Sequence, residues 1–322
     1  MPSPPAHPPA DNVGVTARNT AAHPYERHPV DTLAAFGQRS RVAHVTVLQF
    51  SAVVFVGSVA AGLLGALTGL GGGIVVIPLL TLLLGVDIRY AAGAALISVI
   101  ATSSGAASSY VKEGYSNLRI GMFLEVATTC GAVIGALLTG LIAGSTIAII
   151  FGVVLLVSAA LSLRRHEEAD LDAPSDPIAT YLRLDSDYPT PTGRVAYHVH
   201  GVPAAFGMMF VAGTLSGLLG IGSGAVKVLA LDWAMRLPFK VSTTTSNFMI
   251  GVTAAASAGV YLNHGYIDPG LAMPVMLGVL VGASLGARLL VRMQSRALRI
   301  VFAIAIAALG VQMIYGGLRG TP

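Results

Sequence analysis

Gly69-Leu70-Gly71-Gly72-Gly73 and Gly220-Ile221-Gly222-Ser223-Gly224 are the two stretches on which the fold turns. Each follows a long apolar run and precedes a short one, 74–85 in the first case and 225–234 in the second. Glycine lacks a Cβ and costs a helix roughly 1 kcal/mol relative to alanine, so clustered glycines interrupt one. Crossing a ~30 Å hydrocarbon core upright takes ~20 apolar residues, so the short runs read as half-helices or re-entrant pieces. An interruption in lipid strands backbone N–H and C=O groups, and these must be satisfied by protein or by a wet cavity. A half-helix restarting at Ile74 or Ala225 presents unpaired amides and the positive end of its dipole, an arrangement suited to an anion. Gly71, Gly72, Gly73, Gly222, Ser223 and Gly224 are therefore candidate binding residues.

Outward from these runs, apolar segments fall at about 45–67, 74–85, 91–110, 118–142 and 147–163. After a polar stretch rich in Asp and Pro, a second set occupies about 204–219, 225–234, 241–262, 269–291 and 298–314. One offset of 151 residues, the distance from Gly71 to Gly222, relates the two sets. It also pairs Gly69 with Gly220, Thr102 with Thr253, Tyr110 with Tyr261, Gly114 with Gly265, Tyr115 with Tyr266, Gly131 with Gly282 and Gly135 with Gly286. This is an internal duplication. The sequence predicts a disordered extension over 1–42, transmembrane repeats over 43–163 and 204–318, and a solvent-exposed polar linker over 164–203.

Loop charges set the relative orientation of the repeats. Lys112 and Arg119 flank the third loop of the first repeat, whereas its counterpart carries Asn263, His264 and Asp268. The fourth loop, around Gly144, is uncharged, and its counterpart holds Arg288, Arg292, Arg296 and Arg299. Equivalent loops thus fall on opposite sides by the positive-inside rule. The expected fold is an all-α polytopic membrane protein of two inverted repeats, about five helical segments each, broken at the glycine clusters. That arrangement places the N-terminus outside although Arg39 and Arg41 flank the first segment, and its side stays open.

Composition agrees with a lipid environment. Hydrophobic residues make up 54% of the chain and charged residues 11%, against roughly 25% charged in soluble domains; mean hydropathy is +0.74. The basic residues stand in short loops beside apolar runs, which is a membrane-orientation pattern rather than a nucleic-acid face. Cys130 is the sole cysteine, excludes an intrachain disulfide, and in its apolar run reads as a buried, inert thiol. His7, His23, His28 and His44 lack ligand spacing, and His198 and His200 form no metal triad, so no metal or other cofactor is expected. The N-terminal stretch has no charged region leading into an apolar one and is not read as a signal peptide. There is no Gly-x-x-x-x-Gly-Lys-Ser/Thr sequence to bind ATP. Gly222-Ser223-Gly224 is not an intramembrane serine protease motif either, because Ile221 stands where glycine is needed and His264 is in a loop.

Two charged side chains lie inside apolar segments. Lys227 follows the second cluster by three residues, about 4–5 Å along its half-helix. A lysine at that depth marks a pathway or a counter-ion unless it snorkels to an interface, and its counterpart Val76 makes the site asymmetric. Glu125 lies roughly 10 Å into its helix. It is a candidate for pairing with Lys227, for carrying a coupling proton, or for facing water in a vestibule. Thr243, Thr244, Thr245, Ser246 and Asn247 in one repeat, and Thr102, Ser103 and Ser104 in the other, supply hydrogen-bonding groups. Of these, Thr102, Thr243 and Asn247 are taken as binding candidates, although some hydroxyls will bond their own helix carbonyls. Gly131-x-x-x-Gly135 and Gly282-x-x-x-Gly286 read as helix-packing motifs.

At these residues the chain resembles the sulfite exporter TauE/SafE family of bacterial permeases. The likeness rests on Gly69 to Gly73 with Pro78 after it, the repeat at Gly220 to Gly224, the run Lys240-Val241-Ser242-Thr243-Thr244-Thr245-Ser246-Asn247-Phe248, and the helix end from Tyr261 to Gly265. It spans roughly residues 45–317, and Ser223 and Lys227 depart from the simplest glycine pattern. The resemblance implies a multi-pass protein of the bacterial inner (plasma) membrane that exports sulfite, sulfoacetate or a related organosulfonate without ATP. The expected mechanism is secondary transport by alternating access around a midplane site, with a proton or sodium as a coupling ion and no enzymatic activity. An anion channel and a non-transporting scaffold or sensor are the alternatives. A single-channel conductance far above carrier turnover would select the channel. Loss of function on deleting most of 170–188, without any ligand binding, would select the scaffold.

Overall fold

The computed structural model describes residues 47–68, 72–113, 116–163, 175–190, 193–222, 224–290 and 296–320. The expected N-terminal extension, together with Gly71 and Ser223, lies outside the described residues. All the described residues belong to one unit, Val45–Pro322.

Among the described residues, five helical segments precede the middle of the chain: α1 (Val47–Thr68), α2 (Gly73–Pro78), α3 (Ile88–Glu113), α4 (Leu118–Thr139) and α5 (Gly144–Leu163). Five follow it: α7 (Val202–Leu219), α8 (Gly224–Leu229), α9 (Phe239–Asn263), α10 (Pro269–Leu290) and α11 (Arg296–Leu318). α1 ends before the first glycine cluster and α7 before the second. At the second break Gly220 and Gly222 both take φ near +71°, which is strained for any residue with a Cβ. Beyond each break the chain makes six α-helical residues and then widens into a π-turn, Leu79–Leu83 in one case and Ala230–Ala234 in the other. These elements start and stop 151 residues apart, as do α4 and α10. α1, α4, α7 and α10 are long and apolar enough to cross a membrane, and several shorter apolar helices accompany them.

The long helices pair through small residues. A Cβ on Gly131 would stand 2.2 Å from the Phe210 carbonyl oxygen, and one on Gly135 2.0 Å from that of Thr214. From the other side, Gly213 meets Thr128 and Gly217 meets Ala132. Contact positions rise together along both chains, so α4 and α7 run parallel with their backbones touching. The same holds for α1 and α10, where Gly278 meets Phe55, Gly282 meets Val59 and Gly62 meets Val279. In contrast, Gly93 on α3 meets Tyr266 beyond the end of α9, while Gly251 on α9 meets Ser103, so α3 and α9 are antiparallel. α5 and α11 are antiparallel too, Gly152 meeting Gly310 and Gly317 meeting Ser145. α4 runs parallel to α9, since Gly121 meets Phe248 and Glu125 meets Thr253. Without a hydrophobic drive between helices in lipid, this close approach supplies the dispersion energy that holds them together.

Two expectations need correction. The stretch 164–203 is not merely an exposed linker. Its described part forms a short helix α6 (Pro177–Tyr181) and an antiparallel hairpin of β1 (Ser186–Thr190) and β2 (Gly193–Tyr197). Asp176 caps α6 by accepting from the Ile178 N–H, and Pro177 occupies the first turn. Ala179, Leu184, Tyr197 and Val199 are buried in one cluster with Ile120, Leu124, Leu231, Met235 and Met249, so this segment is packed onto a helix end. Cys130, expected to be buried, is exposed. It lies on the outward stripe of α4 with Met122, Val126 and Ile134, while Leu124, Thr128 and Gly135 face inward.

Candidate functional site

The two glycine breaks meet. A Cβ on Gly73 would lie 3.2 Å from Val99 and 3.6 Å from the Gly220 carbonyl oxygen; one on Gly222 would lie 3.2 Å from the same Val99 side chain. Gly220 presses on Ala92, so α3 forms the floor beneath both breaks. The carbonyl of Leu218, left over as α7 ends, accepts hydrogen bonds from Tyr261 Oη at 3.1 Å and Thr139 Oγ1 at 3.2 Å. The polar cost of breaking the helix is thereby met by side chains from α9 and α4. At the first break, Gly72 heads α2 with no side-chain cap, and its carbonyl accepts from the Val75 and Val76 N–H groups.

One turn into α8 sits Lys227, which is wholly buried. Its Nζ donates to Thr253 Oγ1 at 2.5 Å. That hydroxyl in turn donates to Glu125 Oε1 at 2.6 Å, with the Met249 carbonyl at 3.0 Å as its other acceptor. Thr129 Oγ1 donates to the same carboxylate oxygen at 3.2 Å. The ammonium and the carboxylate therefore share one hydroxyl, placed by three different helices. Both charged groups have hydrogen-bonding capacity left over among the described residues. Glu125 is 8% exposed, and its second oxygen, Oε2, is buried without a hydrogen-bond partner among the described residues. Among those residues Lys227 donates one hydrogen bond, and an ammonium has three N–H groups. Unmet polar capacity beside buried charge costs several kcal/mol unless something else fills it.

The remaining candidates are distributed differently. Gly224 closes on α9, where Ser246 Oγ donates to its carbonyl at 3.3 Å. Thr102 turns back on its own helix, donating to Ser98 O at 3.0 Å and Val99 O at 3.2 Å. Thr243 and Asn247 are half-buried on α9, roughly 80–120° around the helix from Thr253 at 100° per residue. Sequence reasoning did not select Thr253 or Asn117. Thr253 belongs to a buried stripe with Ser242, Ser246, Met249 and Ser257, a helical spacing visible in the sequence. Asn117 begins α4: its Oδ1 accepts from the Ile120 N–H, and its Nδ2 donates to Leu184 O and Tyr197 Oη, both at 2.8 Å. Its own N–H donates to Thr245 Oγ1 at 3.0 Å, which locks the packed linker to α4 and α9. No group of three or more His, Cys, Asp and Glu side chains converges among the described residues.

An all-α, multi-pass membrane protein with interrupted helices around a buried ion pair belongs to the class of membrane transporters, and comparison with known proteins agrees. The family model of the sulfite exporter TauE/SafE matches residues 54–313, and the chain belongs to that family. It is 27% identical over 279 residues to the probable membrane transporter protein YunE of Bacillus subtilis (strain 168), covering 84% of this chain and 99% of that one. It is 28% identical to the probable membrane transporter protein YdhB of the same bacterium, covering 79% and 96%. A probable membrane transporter protein of Xylella fastidiosa (strain 9a5c) is 27% identical, covering 82% and 95%. No solved structure matches the chain. It is thus a transporter of the inner membrane and not an enzyme.

Proposed function

We propose that the protein is a secondary transporter that exports a small anion by alternating access, with the Lys227 ammonium as the counter-charge for the substrate. The observation that carries this reading is the burial of that ammonium one turn beyond a helix break, with donor capacity unspent. A sulfonate or sulfite group offers several acceptor oxygens to those N–H groups. The family's name supplies sulfur, so sulfite, sulfoacetate or a related organosulfonate is the substrate class. Helix ends contribute less than the sequence suggested. α2 and α8 each hold six α-helical residues, so specific binding falls to the side chains.

The helix directions support reading the units Val47–Leu163 and Val202–Leu318 as inverted repeats. α3 opposes α9 and α5 opposes α11, while α1 and α4 run parallel to α10 and α7 respectively, the crossed pairing that inverted repeats would make. Complete burial of Lys227 supports a carrier, whose site is closed to water between its two open states, over a continuously open channel. Flux of radiolabelled sulfite and sulfonates into proteoliposomes tests the assignment. Lys227→Met is expected to abolish it; unchanged flux of every anion would remove Lys227 from the site.

A further inference from the structure

We infer that Glu125 is the proton carrier of this transporter: its unpartnered Oε2 takes up one proton as the substrate anion takes its place beside Lys227. The inference rests on the anion-site reading above and adds the coupling ion to it. Three observations lead there. Glu125 and Lys227 converge on one Thr253 hydroxyl, so the carboxylate already stands as a tethered anion beside the cation of the cluster. Oε2 is the carboxylate oxygen with no donor among the described residues, and it is buried. Finally, no second cation among the described residues is at hand to balance an incoming charge. α7, packed along α4, carries no charged residue at all, and α9 carries only Lys240, three turns before Thr253. On α4 itself the other charge is Arg119, near its first turn, where it donates to Arg183 O. The linker groups that reach this end of α4, Tyr197 and Asp185, gather around Asn117, two turns before Glu125.

The charge inventory then decides the cycle. With the site empty, Lys227 and Glu125 are an ammonium and a carboxylate, and the cluster is neutral. If a monoanion entered while Glu125 stayed ionised, the buried cluster would carry a net negative charge, which costs several kcal/mol in a low-dielectric interior. A proton from water added to Oε2 turns Glu125 into a neutral carboxylic acid. The new O–H becomes a donor where the buried oxygen had none, and the ammonium is left to the substrate. The loaded site is neutral again. Both forms that must cross between the open states are therefore uncharged, and one proton moves with each monoanion in the same direction. An anion accumulated inside leaves as its acid equivalent, and an imposed pH gradient runs the same exchange backwards. Sodium fits less well, since the orphan atom is a single carboxylate oxygen rather than a ring of oxygen ligands.

The test uses the full chain in proteoliposomes with radiolabelled methanesulfonate, a strong-acid monoanion whose own charge does not vary with pH. At one proton per anion, an outside one pH unit more acid than the lumen drives about tenfold accumulation, and a protonophore that removes the pH difference abolishes it. Glu125→Gln is expected to lose this accumulation, and its methanesulfonate–methanesulfonate exchange is expected to lose its pH dependence. As a readout that needs no variant, methanesulfonate binding to detergent-solubilised wild-type protein should withdraw one proton per anion from weakly buffered solution. Accumulation that persists in Glu125→Gln, or binding without proton uptake in the wild type, overturns the inference. Exchange that survives in Lys227→Met overturns the anion site itself, so the two failures are told apart.

Discussion

Removing the charge from Lys227 alone should cost far more stability than removing both charges of the pair. Two hydrogen bonds of 2.5 and 2.6 Å in series through Thr253 hold the two charged groups within about 5 Å. At an effective dielectric of about 20, opposite charges at that distance attract by about 3 kcal/mol. Lys227→Met leaves Glu125 as an uncompensated buried charge, and breaking a buried pair from one side costs about 3–5 kcal/mol. Glu125→Gln strands the ammonium in the same way. The double variant has no charge to strand, and its side chains nearly match the originals in volume. It is expected within about 1 kcal/mol of wild type, because replacing both members of a buried pair is often neutral. Midpoints of unfolding in detergent would measure all four proteins, and the cycle should give a coupling of at least about 5 kcal/mol, the two single losses together less that of the double variant. Anion flux should be absent from the double variant despite its recovered stability. A double variant as unstable as the two single losses added together would show that the charges do not interact, and the shared-hydroxyl cluster would lose its meaning.

The packing sets further outcomes. Gly217→Ala places a methyl 1.9 Å from the Ala132 carbonyl oxygen and should destabilise by about 1–3 kcal/mol, whereas Gly207→Ala on the same helix meets nothing within 4 Å and should be neutral or stabilising by up to about 1 kcal/mol; unfolding midpoints separate the two. Gly220→Ala should cost at least the ~1–2 kcal/mol of a left-handed residue, because its φ is +71° and its Cβ would strike Ala92. Asn117→Ala removes a helix cap worth about 1 kcal/mol and leaves the Leu184 carbonyl without that donor. Faster amide exchange should then appear in the hairpin before it appears in α4. Two hydrogen bonds from Arg194 hold the Asp187 carboxyl below the usual carboxylate range. Its contribution to the hairpin is present above the unfolded value and is lost as pH falls through the lowered one, and Asp187→Asn should erase that acid-side change in an NMR titration of the β1 and β2 amides.

Much of the helix plan was legible because glycine acts locally. A residue without a Cβ weakens a helix wherever it stands, so the clusters at Gly69 and Gly220 announce their breaks without reference to any neighbour. The pairing of Gly131 and Gly135 with a close helix was legible for the same reason. The linker was not, because the four side chains it buries, Ala179, Leu184, Tyr197 and Val199, are scattered among Asp and Pro with no period. Cys130 misled because an apolar run does not say which of its stripes faces inward. Lys227 and Glu125 stood out as charges in apolar segments, yet their meeting point did not. Thr253 entered only as the counterpart of Thr102, and that correspondence hides a difference of role: Thr102 bonds its own helix while Thr253 joins two charges. Sequence repetition marks equivalent positions, but Lys227 against Val76 puts the buried cation in one copy and not the other.

Because α1 lies along α10 and α4 along α7, neither half of the chain can complete its own interior. Gly62 waits for Val279, so α1, although it meets Leu79 early through Gly57, lacks its closest partner until α10 has been made. Biogenesis must then include a late intermediate in which the early helices sit in lipid as loosely associated rods. The two halves made as separate polypeptides should be degraded alone and rescued when produced together.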